Sequence, residues 1–123
     1  MVQTVDVTGL SSYKEEVAKH KDKTVFALFT GSPDSSGKSW CPDCVRADGV
    51  IHSALSKAPN DAVFINCLVG ERAVWKDPNN EFRKEPTLML KGVPTLIKVG
   101  TKNRLVEAEC AKEDLVTMLF TED

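Results

Sequence analysis

Thr24-Val25-Phe26-Ala27-Leu28-Phe29, followed after ten residues by Trp40-Cys41-Pro42-Asp43-Cys44, decides the fold. The first stretch is nearly all apolar, the pattern of a strand buried on both faces in a central sheet. Thr30 to Ser39 is a loop of Gly, Ser, Pro and Asp residues. A helix is then predicted to begin at the cysteine pair and to run through Val45, Ile51 and Leu55, stopping before Pro59-Asn60.

Working outward, the chain alternates element types. Thr4 to Val7 reads as a strand, since Val5 and Val7 alternate with polar neighbours. Leu10, Tyr13 and Val17 fall at helical spacing, and Ser12 with Glu15 suggests a capping box, which predicts a helix over Ser12 to His20. Ala62 to Val69 is a second buried-type strand. Gly70 to Asn80 reads as a connection carrying Trp75 and Pro78, with a short helix from Asn79 to about Glu85. Pro94 to Val99 and Arg104 to Ala108 read as strands joined by a hairpin-length turn, Gly100 to Asn103. A last helix is predicted over Lys112 to Phe120, with Leu115, Met118 and Leu119 on one face. This order predicts an α/β fold, a mixed central β-sheet flanked by α-helices on both faces, in one domain over residues 1–123.

Composition narrows the function. The 123 residues are 28% charged and 41% hydrophobic, with a net charge of −2. No basic excess exists to neutralise a phosphate backbone, so nucleic acid is not expected as a partner. The apolar runs fall far short of the roughly 20 residues a membrane helix needs. No signal segment is visible, so the chain reads as cytoplasmic. In a reducing compartment a close cysteine pair suits catalysis or metal binding better than a structural bridge.

Of the four cysteines, only Cys41 and Cys44 are close. A structural zinc site would want a second Cys-x-x-Cys or a histidine pair. Cys67 and Cys110 are isolated, and His20 and His52 are the only histidines, so no metal is expected. With Cys41 at the N-cap, Pro42 takes the first helical position, where its missing N–H costs nothing. Cys44 then lies one turn on, on the same face, within reach of a disulfide. Unpaired N–H groups and the dipole at the helix start favour a thiolate on Cys41. Cys41, expected to be exposed, would attack a substrate disulfide; Cys44, more buried, would resolve the mixed disulfide. Asp43 puts a negative charge beside that thiolate and Lys38 could oppose it; the net direction stays open. The bland alternative is an ordinary helix start that happens to carry cysteines.

Other residues divide similarly. Trp40 is either a lid or substrate contact, or mere packing. Trp75 either lines a substrate groove or anchors its loop. Cys67 reads as a small buried hydrophobe and Cys110 as an exposed bystander. His52 reads as a helix-face residue and His20 as solvated. Pro94, before a strand, reads on physical grounds alone as an ordinary trans proline.

Trp-Cys-x-x-Cys at a helix start after a buried strand, with Val93-Pro94-Thr95 some fifty residues later, resembles the thioredoxin superfamily. The string Trp40-Cys41-Pro42-Asp43-Cys44 with Trp75-Lys76-Asp77-Pro78-Asn79-Asn80 is similar to its thioredoxin-related branch of the Clot type. The resemblance implies a cis Val93–Pro94 peptide packed against the dithiol. It also implies Val93 as the site where substrate pairs as an added strand. The implied activity is cytosolic disulfide reduction by Cys41 and Cys44, with Pro42 and Asp43 tuning the potential and Trp40, Val93 and Pro94 binding substrate. No cofactor is implied to be bound; electrons would come from NADPH via thioredoxin reductase. The implied substrates are disulfide-containing proteins and small disulfides such as cystine, with peroxide, over a narrower range than thioredoxin takes, and the protein is expected to be a monomer. The competing expectation is a non-catalytic thioredoxin-fold module that binds a signalling partner. Ala27-Leu28-Phe29 lacks the buried carboxylate of ordinary thioredoxins, leaving Asp43 as a conceivable substitute. The extra length in Gly31–Ser39 and Gly70–Glu85 is expected to lie beside the dithiol and restrict access.

Overall fold

The computed structural model describes residues 2–122. Five strands form one sheet in the order β1-β3-β2-β4-β5. They are β1 Gln3–Thr8, β2 Val25–Thr30, β3 Val63–Leu68, β4 Thr95–Lys98 and β5 Arg104–Val106. β3 runs parallel to both β1 and β2, while β4 is antiparallel to β2 and to β5. The sheet is therefore mixed, as the element order predicts.

β2 is the central strand because five successive side chains, Val25 to Phe29, are all buried. Its side chains alternate between two faces. Val25, Ala27 and Phe29 belong to one core cluster with Tyr13, Trp75 and Phe82. Tyr13 comes from α1 (Leu10–Lys19), Trp75 from α3 (Arg72–Lys76) and Phe82 from α4 (Glu81–Lys84). Phe26 and Leu28 belong to the other cluster, with Ala47 and Ile51 of α2 (Pro42–Ala54) and Val116, Leu119 and Phe120 of α5 (Glu113–Thr121). Edge-on aromatic contacts lock both layers: Tyr13–Phe29 at 5.0 Å between centroids and Phe26–Phe120 at 5.0 Å. Each such pair adds about 1 kcal/mol beyond the area it buries.

Five local expectations are corrected. The first helix starts at Leu10, not Ser12, so Ser12 and Glu15 form no capping box. The Leu10 N–H instead donates to the Glu81 carboxylate at 3.1 Å, a cap supplied from 71 residues away. The Gly70–Asn80 connection contains α3, whose Trp75 is buried in the core under the Arg83 guanidinium, 4.1 Å from the ring centroid. Cys110 is fully buried, because a 3-10 turn over Glu107–Ala111 carries it into the α2–α5 layer. On α5 the buried face is Val116, Leu119 and Phe120, and Met118 is 55% exposed. Phe120 sets that rotation by reaching Phe26 and Phe64. Cys67 is buried as expected; His20 is half-buried beside Glu16 at 3.6 Å rather than solvated.

Candidate active site

The two core clusters meet where β2 ends, and the cysteine pair sits there. Cys41 is the N-cap of α2, with extended backbone, and Pro42 opens the helix. The Cys44 N–H donates to the Cys41 sulfur at 3.2 Å, so the sulfur takes the place of a capping oxygen. The Cys44 sulfur accepts from the Gly31 N–H at 3.5 Å. Both sulfurs thus lie among main-chain donors, one at a helix start and one at the end of β2. All four cysteines are thiols.

The third component is the segment before β4. The Val93–Pro94 peptide is cis, as the resemblance implies and against the expectation from physical grounds alone. The Cys41 thiol donates to the Val93 carbonyl at 3.5 Å. The Thr95 hydroxyl, itself buried, donates to the Gly92 carbonyl at 2.6 Å and holds this segment in shape. On its far side the Cys110 thiol donates to the Pro94 carbonyl at 3.6 Å. Trp40, Cys41, Val93 and Pro94 are therefore brought into one region.

Cys41 is 4% exposed and Cys44 3%, so the expected contrast between an open and a covered sulfur is absent in this closed dithiol. Burial, helped by the neighbouring Cys44 thiol, pushes the Cys41 thiol above its ordinary value, and the Cys44 N–H pulls it only partly back. The helix start does not by itself yield a resting thiolate here. Once the sulfur is opened to water or substrate, the burial penalty falls away and the helix start remains.

Trp40 is half-buried and packs on Gly31 so closely that a Cβ there would lie 2.7 Å from the indole. Its N–H donates to the Gly70 carbonyl at 2.9 Å. Gly70 in turn donates to the Ser32 hydroxyl at 3.0 Å. The Gly31–Ser39 loop is itself a closed turn, bridged between Pro33 and Ser39, with the Asp34 carboxylate accepting from Ser36. The first extra segment thus lies beside the dithiol, and Gly70 ties the second to it through Trp40 and Ser32. Trp75 belongs to the core and not to the groove.

Asp43 is ion-paired with Arg46 on the outer side of α2. That pairing separates it from the role of the missing buried carboxylate. Two carboxylates escaped sequence reading. Asp48 lines a cleft of about 390 Å3 together with Cys44, Lys38 and Asn66. The i, i+4 spacing from Cys44 was the available signal. Glu107 lies against the Gly92–Pro94 segment and had no signal, because its left-handed backbone, φ 55, is a tertiary outcome. Among the described residues no group of three or more His, Cys, Asp or Glu could hold a metal ion. No described helix is long and apolar enough to cross a membrane.

Comparison with known proteins agrees with this geometry. The chain is 52% identical over 121 residues to thioredoxin domain-containing protein 17 of Epinephelus coioides, covering 98% of this chain and 97% of that protein. Identity to the Homo sapiens protein of the same name is 51%, with the same coverage. The thioredoxin-like protein Clot of Arabidopsis thaliana is 39% identical over 104 residues, covering 81% of this chain and 78% of that protein. Among solved structures, reduced Schistosoma mansoni thioredoxin pre-protein superposes with a TM-score of 0.59 at 21% identity. That match covers 95% of this chain and 98% of the other, and it shows the shared fold. Residues 6–122 match the family described as thioredoxin domain-containing protein 17-like, thioredoxin domain, and the chain belongs to that family.

Proposed function

We propose that this protein is a thiol–disulfide oxidoreductase that reduces disulfides with the Cys41/Cys44 pair. One observation carries the reading: the Cys41 sulfur sits at the head of α2, held by the Cys44 N–H at 3.2 Å and the Val93 carbonyl at 3.5 Å. A disulfide that pairs with the Val93 backbone replaces that carbonyl contact and meets the sulfur directly.

The cycle follows from exchange chemistry. The Cys41 thiolate attacks one sulfur of R–S–S–R′, forming a Cys41–S–R disulfide and releasing R′–S⁻. Cys44 loses its proton and attacks the Cys41 sulfur, breaking the mixed disulfide. R–S⁻ leaves, and a Cys41–Cys44 disulfide remains. The substrate has gained two electrons and, with water, two protons. Thioredoxin reductase, drawing on NADPH, returns the pair to the dithiol. Pro42 and Asp43 tune the potential, Val93 and Pro94 bind substrate, and Trp40 positions the loop beside them. Substrates are protein and small disulfides, cystine included, over a narrower range than thioredoxin takes, in the cytoplasm.

The test is NADPH oxidation with thioredoxin reductase and cystine. Cys41→Ser should abolish turnover, and Cys44→Ser should accumulate a mixed disulfide visible by mass. Turnover no greater than that of the reductase alone would overturn the reading and favour a non-catalytic binding module. Activity surviving in Cys41→Ser would reverse the roles.

A further inference from the structure

Glu107 directly follows β5 in left-handed backbone, φ 55, a conformation that costs a residue with a Cβ and suits glycine. Its N–H donates to the Pro94 carbonyl at 2.7 Å, extending the β4–β5 ladder by one step past the Thr95–Val106 pair. Its side chain lies over Gly92: a Cβ added there would come 3.0 Å from the Glu107 Cγ and closer still to the carboxylate. The residue is exposed, and none of the ion pairs among the described residues includes it. Lys91 and Arg104 line a neighbouring cleft that also includes Thr95 and Val106, but neither forms an ion pair with Glu107. A strained position thus holds an unpaired carboxylate against the segment whose Val93 carbonyl touches the Cys41 sulfur.

We propose that Glu107 is a specificity-determining residue. Its carboxylate favours disulfides with positive charge next to the S–S bond and disfavours those with negative charge there. The inference rests on the oxidoreductase reading above. A disulfide reaching Cys41 must pass beside Gly92, Val93 and Pro94, whose successive Cα atoms are at most about 3.8 Å apart. A charged group about three bonds from its sulfur then comes within a Debye length of Glu107, about 10 Å at ordinary salt. At an approach of about 5 Å, in a water-like dielectric and with that screening, the charge changes each rate a little over two-fold. The effects on a cation and an anion are opposite, so their ratio moves about five-fold.

The experiment needs no reductase. Reduced protein is mixed with cystamine, a dication, with dithiodipropionate, a dianion, and with neutral bis(hydroxyethyl) disulfide, and loss of the protein dithiol is timed by acid quench and mass. Glu107→Gln should lower the cystamine-to-dithiodipropionate rate ratio about five-fold and leave the neutral disulfide unchanged. The shift should vanish near 1 M salt, where the Debye length is about 3 Å. Glu107→Gly should give the same shift while raising the unfolding midpoint, because glycine accepts this backbone; that separates lost charge from lost folding. A ratio unchanged within two-fold, with the neutral disulfide still reacting, overturns the inference, and so does equal slowing of all three substrates. If the wild-type dithiol reacts with none of them, the oxidoreductase reading itself fails and takes this inference with it.

Discussion

The indole N–H of Trp40 donates to the carbonyl of Gly70 at 2.9 Å, joining the residue before the dithiol to the chain just after β3. The same carbonyl accepts from the Ser32 N–H at 3.1 Å, so one oxygen gathers both sides of the loop that precedes Cys41. Trp40→Phe keeps the ring on Gly31 and removes only one donor. Because the Ser32 donor remains, the expected loss is about 1 kcal/mol. Urea unfolding should show a lower midpoint with an unchanged slope. An unchanged midpoint would mean that ring packing alone fixes the loop.

Asn80 is a second tether, deep in the segment between β3 and β4. Its side-chain oxygen accepts from the Phe82 N–H at 2.9 Å, and its amide donates to the Val74 carbonyl at 3.0 Å. It therefore caps α4 and closes α3 with one buried group. Asn80→Ala removes the cap and leaves the Val74 carbonyl without this donor. The expected cost is about 2 kcal/mol, measured by denaturant unfolding. A loss below about 0.5 kcal/mol would show that water replaces both bonds.

The strands and the dithiol were readable because their signals are local. Val25 to Phe29 is apolar without interruption, and Cys41-Pro42 carries its own helix start. What escaped was decided by distant partners. α3 has five residues, too few for a helical period to declare itself. The α1 cap comes from Glu81, which no window around Leu10 contains. Cys110 is buried because a 3-10 turn folds back on Pro94, and Cys41 is covered because Val93 arrives from 52 residues away. Composition near Glu107 gives no sign of a left-handed residue, since glycine or asparagine would be the ordinary choice there.

Glu85 predicts an acid-sensitive contact. The Lys14 ammonium lies 2.5 Å from its carboxylate, and Thr87 donates to it at 2.8 Å through its hydroxyl. The Lys14 bond first, and Thr87 second, lower its pKa to about 2. The unfolded chain titrates at the ordinary glutamate value of about 4.3. The folded value is the lower one, so the contact stabilises fully above about pH 4.3. That stabilisation declines as pH falls toward 2. Lys14 is half open to solvent, so salt will weaken the effect. Glu85→Gln should be less stable than wild type at pH 7, and the gap should close between pH 5 and pH 2. A gap independent of pH would assign the effect to packing instead.

Asp43 and Arg46 predict opposite changes in redox potential. Asp43 is one turn of α2 or less from Cys41, and its charge, though small beside burial, raises the Cys41 pKa. Arg46 pairs with Asp43 and screens that charge. Asp43→Asn removes the repulsion and stabilises the thiolate, which stabilises the reduced pair as pH rises toward the Cys41 pKa and should make the potential measured there less negative. Arg46→Gln exposes Asp43 and should make it more negative. The screened charge limits each shift to about 10 mV, a fraction of the 30 mV that corresponds to 1.4 kcal/mol for two electrons. Equilibration of the Cys41/Cys44 couple against a glutathione series reads both. Shifts of the same sign in the two variants would show that helix-start geometry, not charge at position 43, sets the potential.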